Sequence, residues 1–253
     1  MTDSPDHSRM GMLEHLIELR QRLIWSLLAF FVAFAACYNF ADEIFTFLAQ
    51  PLAEAMQGEH RRLIYTGLGE AFFTYLKVAA FAAFFLSFPV IAVQVWMFVA
   101  PALYKNERRA FLPFLIATPV LFLAGAALLY YGVMPLLVQF FLGFETTATV
   151  GTVSIEADPR VSEYFSLIMQ LILAFGVAFQ LPVLLTLLAK VGLISSESLK
   201  EKRRYAIVGI FVVAALLTPP DAISQCMLAV PLILLYEASI WSCRWVETRR
   251  TEG

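Results

Sequence analysis

Charge is what this sequence has least of. Asp, Glu, Lys and Arg together make up 15% of the 253 residues, where a soluble domain carries about 25%. Cysteine is also scarce. Cys37, Cys226 and Cys243 form no CxxC and no metal-like spacing, which excludes a thiol-held metal or a paired redox motif. The three histidines, His7, His15 and His60, are scattered, and no HExxH is present, so no metal site is expected. There is no GxxxxGK[ST] to cradle a phosphate and no GxSxG nucleophile turn. No cofactor is implied, and the reading is of a protein that is not an enzyme. No convincing internal repeat is present either, which weighs against the paired-repeat architecture common in carriers.

What the chain has is apolar sequence in blocks. Hydrophobic residues make up 60%, in runs of roughly 15–30 residues, the length that crosses about 30 Å of hydrocarbon. The fold class this predicts is an all-α membrane protein forming a single polytopic domain over 1–253. Six spans are expected, at about 23–41, 70–100, 110–135, 163–189, 205–218 and 222–243. The fifth is the odd one. Only 14 residues separate Arg204 from Pro219-Pro220, and at 1.5 Å per residue they reach about 21 Å. The sixth follows Asp221 almost without a loop. Two spans so tightly joined, one of them short, need a thinned bilayer or leave a wet recess.

Polar residues are few enough to be read one by one. Residues 13–22 form an amphipathic helix leading into the first span. Leu13, Leu16, Ile17 and Arg20 lie on one stripe, and Glu14, Glu18 and Arg22 on another. Glu18 and Arg22 are a solvated pair, or part of a docking surface. After the first span, Ile44, Phe45, Phe47 and Leu48 predict a short surface helix stopped near Pro51. Lys77 can snorkel to the surface, and Pro89 is expected to kink the second span. The stretch from Gln94 to Arg109 passes from membrane to charged loop. Trp96, Phe98 and Tyr104 sit at headgroup level, and Pro101 is expected to end the helix. Glu107 then stands among Lys105, Arg108 and Arg109, either paired with them or free to receive a cation. Gln180 in the fourth span needs a partner at membrane depth, either a neighbouring helix or a polar patch in a concave wall. Glu237 lies inside the last span, where a carboxylate is a functional candidate.

Lys and Arg set the orientation. Six spans put both termini on one side, with 14 of the 18 basic residues. Arg61, Arg62 and Arg160 lie opposite, and Lys77 lies within a span. Both termini are therefore expected in the cytoplasm. From the residues alone, a membrane receptor or scaffold is favoured. The alternative is a secondary carrier for a small solute, with Glu237 and Lys77 as coupling residues.

Five stretches resemble the TatC family, the polytopic core subunit of the twin-arginine protein translocase. They are His15-Leu-Ile-Glu-Leu-Arg20 with Arg22, Ala49-Gln-Pro51-Leu52, Gln94 to Arg109, Phe175 to Pro182, and Leu217 to Gln225. They occur in order and cover essentially the whole chain. The resemblance implies a cup-like fold of six helices with short fifth and sixth spans. It also implies a receptor, in a bacterial cytoplasmic (inner) membrane, for the Arg-Arg signal peptides of folded export substrates. Transport would be driven by the protonmotive force. Partners would be the TatB and TatA subunits in a multimeric complex within the lipid bilayer, with no role for nucleic acid.

Carried onto these positions, the resemblance makes Glu107 the acid that receives the twin arginines. Glu18, Leu19 and Arg20 form the N-terminal part of the same site, with Phe98 the aromatic beside it. Guanidinium and carboxylate pair bidentately, and Lys is a poor substitute there. Gln180 replaces the glutamate many relatives have in the concave face. That puts a titratable role at this position in doubt while keeping its polarity. Residues 205–215 form an expected strip for TatA or TatB, with Ile207, Ile210, Phe211 and Gln225 as contacts. Pro51 and Asp221 match exterior-face positions and are read as structural.

Overall fold

The fold was taken from a computed structural model that describes residues 6–56, 62–103, 112–145, 158–218 and 222–251. The architecture is all-helical, a cup of six spans. The first span belongs to α1 (Asp6–Asn39), a single helix that continues the amphipathic segment without a break. α2 (Ala41–Ala55) lies at the far end, and α3 (Glu70–Leu103) returns along α1. α4 (Leu112–Ala127), a π-helical turn at Leu128–Val133 and α5 (Met134–Leu142) make one continuous span. α6 (Val161–Ala178) and α7 (Leu181–Val191) make the next. The short α8 (Ser196–Glu201) then leads to α9 (Arg203–Leu217) and α10 (Ala222–Thr251).

Among the described residues, five helical stretches are long and apolar enough to cross a membrane by length and composition: His15–Asn39, Glu70–Phe98, Pro113–Leu142, Val161–Val191 and Ala222–Thr248. The sixth, α9, has 15 residues and rises only about 22 Å, as the spacing of the prolines predicts. α10 does not stop at residue 243 but continues as helix to Thr251.

Several helix ends differ from expectation, and prolines explain most of them. α2 does not stop at Pro51; it runs on to Ala55 with Pro51 buried inside it. A proline inside a helix removes its own N–H and frees the carbonyl four residues back. Here that carbonyl belongs to Phe47, and the Tyr130 hydroxyl donates to it. The Tyr164 hydroxyl donates to the next carbonyl, Leu48 O, at 2.9 Å. Both tyrosines come from other spans, and the π-helical turn carries Tyr130. The helix survives its proline because its neighbours supply the missing donors. Likewise α3 runs through Pro89 and continues past Pro101 to Leu103. The third span extends beyond 135 to Leu142. The fourth is interrupted at Phe179–Gln180, before Pro182.

The main core lies toward the end that carries α2. Leu48, Val78, Leu129, Met134, Phe165 and Ile168 are buried together there. Phe45 stacks on Phe165 with ring centroids 4.2 Å apart. Deeper in, α4 and α6 cross at Gly176, where an added Cβ would lie 2.6 Å from the Phe122 ring. Small residues at helix crossings permit this close approach in membranes. We call this the cap end. The opposite, terminal end carries the start of α1, the end of α3, α8 and the end of α10.

At the cap end one carboxylate joins two loops. Glu70 accepts from Thr66 N at 2.9 Å, Ser162 N at 3.2 Å and Ser162 Oγ at 2.6 Å. Beside it, Ile64 N donates to Pro159 O at 3.1 Å, and Val161 N donates to Ile64 O at 2.9 Å. At the terminal end Glu247 of α10 accepts from Ser196 N at 2.7 Å and from its hydroxyl. Tyr236 Oη donates to Leu199 O at 2.8 Å. Together these tie α8 to α10.

Candidate functional site

The site begins with the antiparallel packing of α1 on α3. Helical periodicity places His15, Glu18 and Arg22 along one side of α1, and α3 brings Gln94, Met97 and Phe98 against them. The His15 and Phe98 rings stack at 4.2 Å and 15°. Arg22 Nη2 donates to Glu18 Oε1 at 3.0 Å. Arg22 Nη1 donates to Gln94 Oε1 at 3.3 Å and lies 3.7 Å from Met97 Sδ. Glu18, Gln21, Arg22, Trp25, Gln94 and Met97 line an open recess of about 500 Å³. The lining combines a carboxylate paired with a guanidinium, two amides, a thioether and an indole.

The pair is neither buried nor free. The side chains of Arg22 and Glu18 are 25% and 34% exposed. At that exposure the pair is worth at most about 1 kcal/mol. Leu19 and Arg20 point outward and are exposed. The structure therefore brings Glu18 and Phe98 to one neighbourhood and leaves Leu19 and Arg20 on its outer side. Glu107, also expected there, lies outside the described residues.

Gln180 occupies a second polar spot, at the α6–α7 interruption. Its Nε2 donates to Thr118 O at 3.0 Å, and Trp96 Nε1 donates to Thr118 Oγ1 at 2.8 Å. Of the two readings open for Gln180, the hydrogen bond to a neighbouring helix is present, and the residue stays half-buried. It is not a mid-helix residue, as its span suggested, but the cap before α7. Pro182 forces that position, because it cannot continue the hydrogen-bond ladder.

The remaining candidates are distributed elsewhere. Glu237 forms a two-pronged pair with Arg203, with Nε to Oε1 at 2.8 Å and Nη2 to Oε2 at 2.8 Å. It lies about 22 Å along α10 from Ala222, level with the start of α9. Its surroundings are those of a helix-end ion pair, not of a lone mid-membrane acid. Lys77 is exposed on α3. Ile207, Ile210 and Phe211 are half-buried, and Gln225 Nε2 donates to Phe211 O at 2.9 Å. The outward stripe of α9 is instead Tyr205, Val208, Val212 and Leu216, from 54% to 77% exposed. Pro51 sits in the core at the cap end, and Asp221 lies outside the described residues.

Some residues of these sites escape a reading of the sequence. Gln94 and Met97 become partners of Arg22 only once α3 lies along α1. Trp25 was one turn below Arg22, a spacing that could have flagged it. Thr118 and Glu70 carry no motif.

Residues 14–231 match the family described as Sec-independent protein translocase protein (TatC). The Sec-independent protein translocase protein TatC of Magnetococcus marinus is 52% identical over 241 residues, 95% of this chain and 86% of that protein. The same protein of Escherichia coli K12 is 40% identical over 92% of this chain and 88% of its own length. A crystal structure of the twin arginine translocase receptor TatC superposes with a TM-score of 0.79 at 38% identity. It covers 92% of this chain and 99% of that one.

Proposed function

From the premise that this chain belongs to the TatC family, a membrane component of Sec-independent protein translocation, we propose that it is the receptor for Arg-Arg signal peptides of folded proteins. One observation carries the reading: α1 and α3 bring the Glu18 carboxylate and the stacked Phe98 to the same end of the molecule, beside an open recess. In this reading Glu107 serves as the second acid, supported by the motif it shares with the family. Two carboxylates neutralise two guanidinium groups, and the aromatic face offers a further surface for them. The half-buried Gln180 marks the wall along which the apolar part of the peptide lies.

The terminal end faces the cytoplasm of a bacterial inner membrane, as the distribution of Lys and Arg supports. TatA and TatB dock on α9 and the adjoining edge of α10. The outward stripe from Tyr205 to Leu216 is the broad surface of that contact, with Ile207, Ile210, Phe211 and Gln225 along its edge. The short α9 thins the bilayer beside it. The protonmotive force drives the passage of substrate, and this chain supplies recognition to a multimeric complex. The carrier reading gains nothing from the geometry: Glu237 is committed to Arg203, and Lys77 stands exposed on another helix.

The test is binding of an Arg-Arg signal peptide to the purified chain in detergent, against a Lys-Lys version, repeated on Glu107→Ala. The expected result is a preference for arginine that the substitution abolishes. Equal binding in all four combinations would overturn the assignment.

A further inference from the structure

We infer that Arg22 is the resident occupant of a guanidinium subsite, and that one arginine of the signal peptide binds by taking its place. The inference rests on the receptor reading above and sharpens it. The structure already shows how a guanidinium is held at this spot. Glu18 Oε1 accepts at 3.0 Å, Gln94 Oε1 accepts at 3.3 Å, and Met97 Sδ lies 3.7 Å away. These groups come from two helices, and the fork of an arginine reaches both at once. An ammonium, a point charge without the fork, meets the carboxylate but does not span the set. The recess against this group has a volume of about 500 Å³ and includes Trp25 in its wall.

Three features make Arg22 replaceable rather than structural. Its contact with Glu18 is one turn along the same helix, so it fastens no helix to another. Both side chains keep a quarter to a third of their surface exposed, so water reaches the pair and screens it. The link to α3 runs through one amide at 3.3 Å and one thioether, and thioethers are weak acceptors. Arg22 thus keeps Glu18 neutralised while the site is empty and is exchanged when a better-placed guanidinium arrives. In binding terms it is an internal competitor. It lowers the affinity for every cationic peptide by the same factor and leaves the ratio between arginine and lysine peptides unchanged.

The experiment is a two-by-two comparison on the full chain in detergent, with Arg-Arg and Lys-Lys peptides as probes. The variants are Arg22→Gln, Glu18→Gln and the double substitution. Arg22→Gln is expected to tighten both peptides by about threefold to fivefold, the worth of a partly exposed pair. In the Glu18→Gln background the same change is expected to give no gain. Arg22→Lys, which keeps the charge and loses the fork, is expected to fall between wild type and Arg22→Gln. It stands in if Arg22→Gln does not fold. If Glu18→Gln weakens binding but Arg22→Gln leaves it unchanged or weaker, Arg22 positions Glu18 and the inference is overturned while the receptor reading stands. If the wild-type chain does not bind the Arg-Arg peptide, or Glu18→Gln has no effect, the role of Glu18 in the receptor reading fails first.

Discussion

The cap end and the α1–α3 corner of the terminal end hold their polar groups by different means, although α8 and α10 at the terminal end are tied much as the cap end is. At the cap end, hydrogen bonds run between distant parts of the chain and end on backbone. Tyr130 and Tyr164 repair the helix broken open by Pro51, and Glu70 ties the segment before α3 to the start of α6. At the α1–α3 corner of the terminal end, the pair between Glu18 and Arg22 lies within one helix and is open to water. The first arrangement fixes a shape. The second leaves a charge that can change partners. The proposed receptor needs both, because a binding site that exchanges partners must be built on helices that do not.

Substitutions at the cap end are expected to have the largest effects on stability. Phe165 is fully buried and stacked on Phe45, and Phe165→Ala is expected to cost about 3 kcal/mol or more. Detergent unfolding monitored by circular dichroism would measure it, and the molecules that remain folded should bind signal peptide normally. A smaller loss is expected from Tyr164→Phe, which removes the buried hydroxyl that donates to the Leu48 carbonyl. The cost is about 1–3 kcal/mol, read from the same unfolding curve. Glu70→Gln should loosen both segments it joins, seen as faster hydrogen exchange over 62–69 and 158–162 with the α1 segment unchanged. Glu18→Gln should do the reverse. Its stability change is expected to stay within about 0.5 kcal/mol, while peptide binding weakens by about tenfold, or 1.4 kcal/mol. Raising salt sharpens the contrast further: binding falls severalfold because the site is exposed to screening, and the unfolding midpoint scarcely moves.

The fold was largely legible in the sequence, since hydrocarbon thickness sets a length that apolar blocks must meet. The short α9 was legible for the same reason, from Arg204 and the proline pair. The helix ends at Pro51 and Pro101 were not. A proline's local cost is readable, but the donor that offsets it at Pro51 comes from Tyr130, 79 positions away. Gln180 shows the same gap: polarity and a need for a partner were visible, and Thr118 was not. At the site, the Glu18–Arg22 spacing was legible as a pair of neighbours on one helix. That Arg22 also reaches Gln94 and Met97 depends on how α3 lies against α1, which no local pattern encodes. Glu237 looked functional for being a carboxylate in an apolar run, and the partner that explains it, Arg203, sits on the preceding helix.

The most direct test of the account is hydrogen exchange on the purified chain with and without an Arg-Arg signal peptide. Bound peptide should protect residues 15–22 of α1 and 94–103 of α3, and leave 62–70 and 158–164 at the cap end unchanged. Protection that appeared at the cap end and spared α1 and α3 would contradict it.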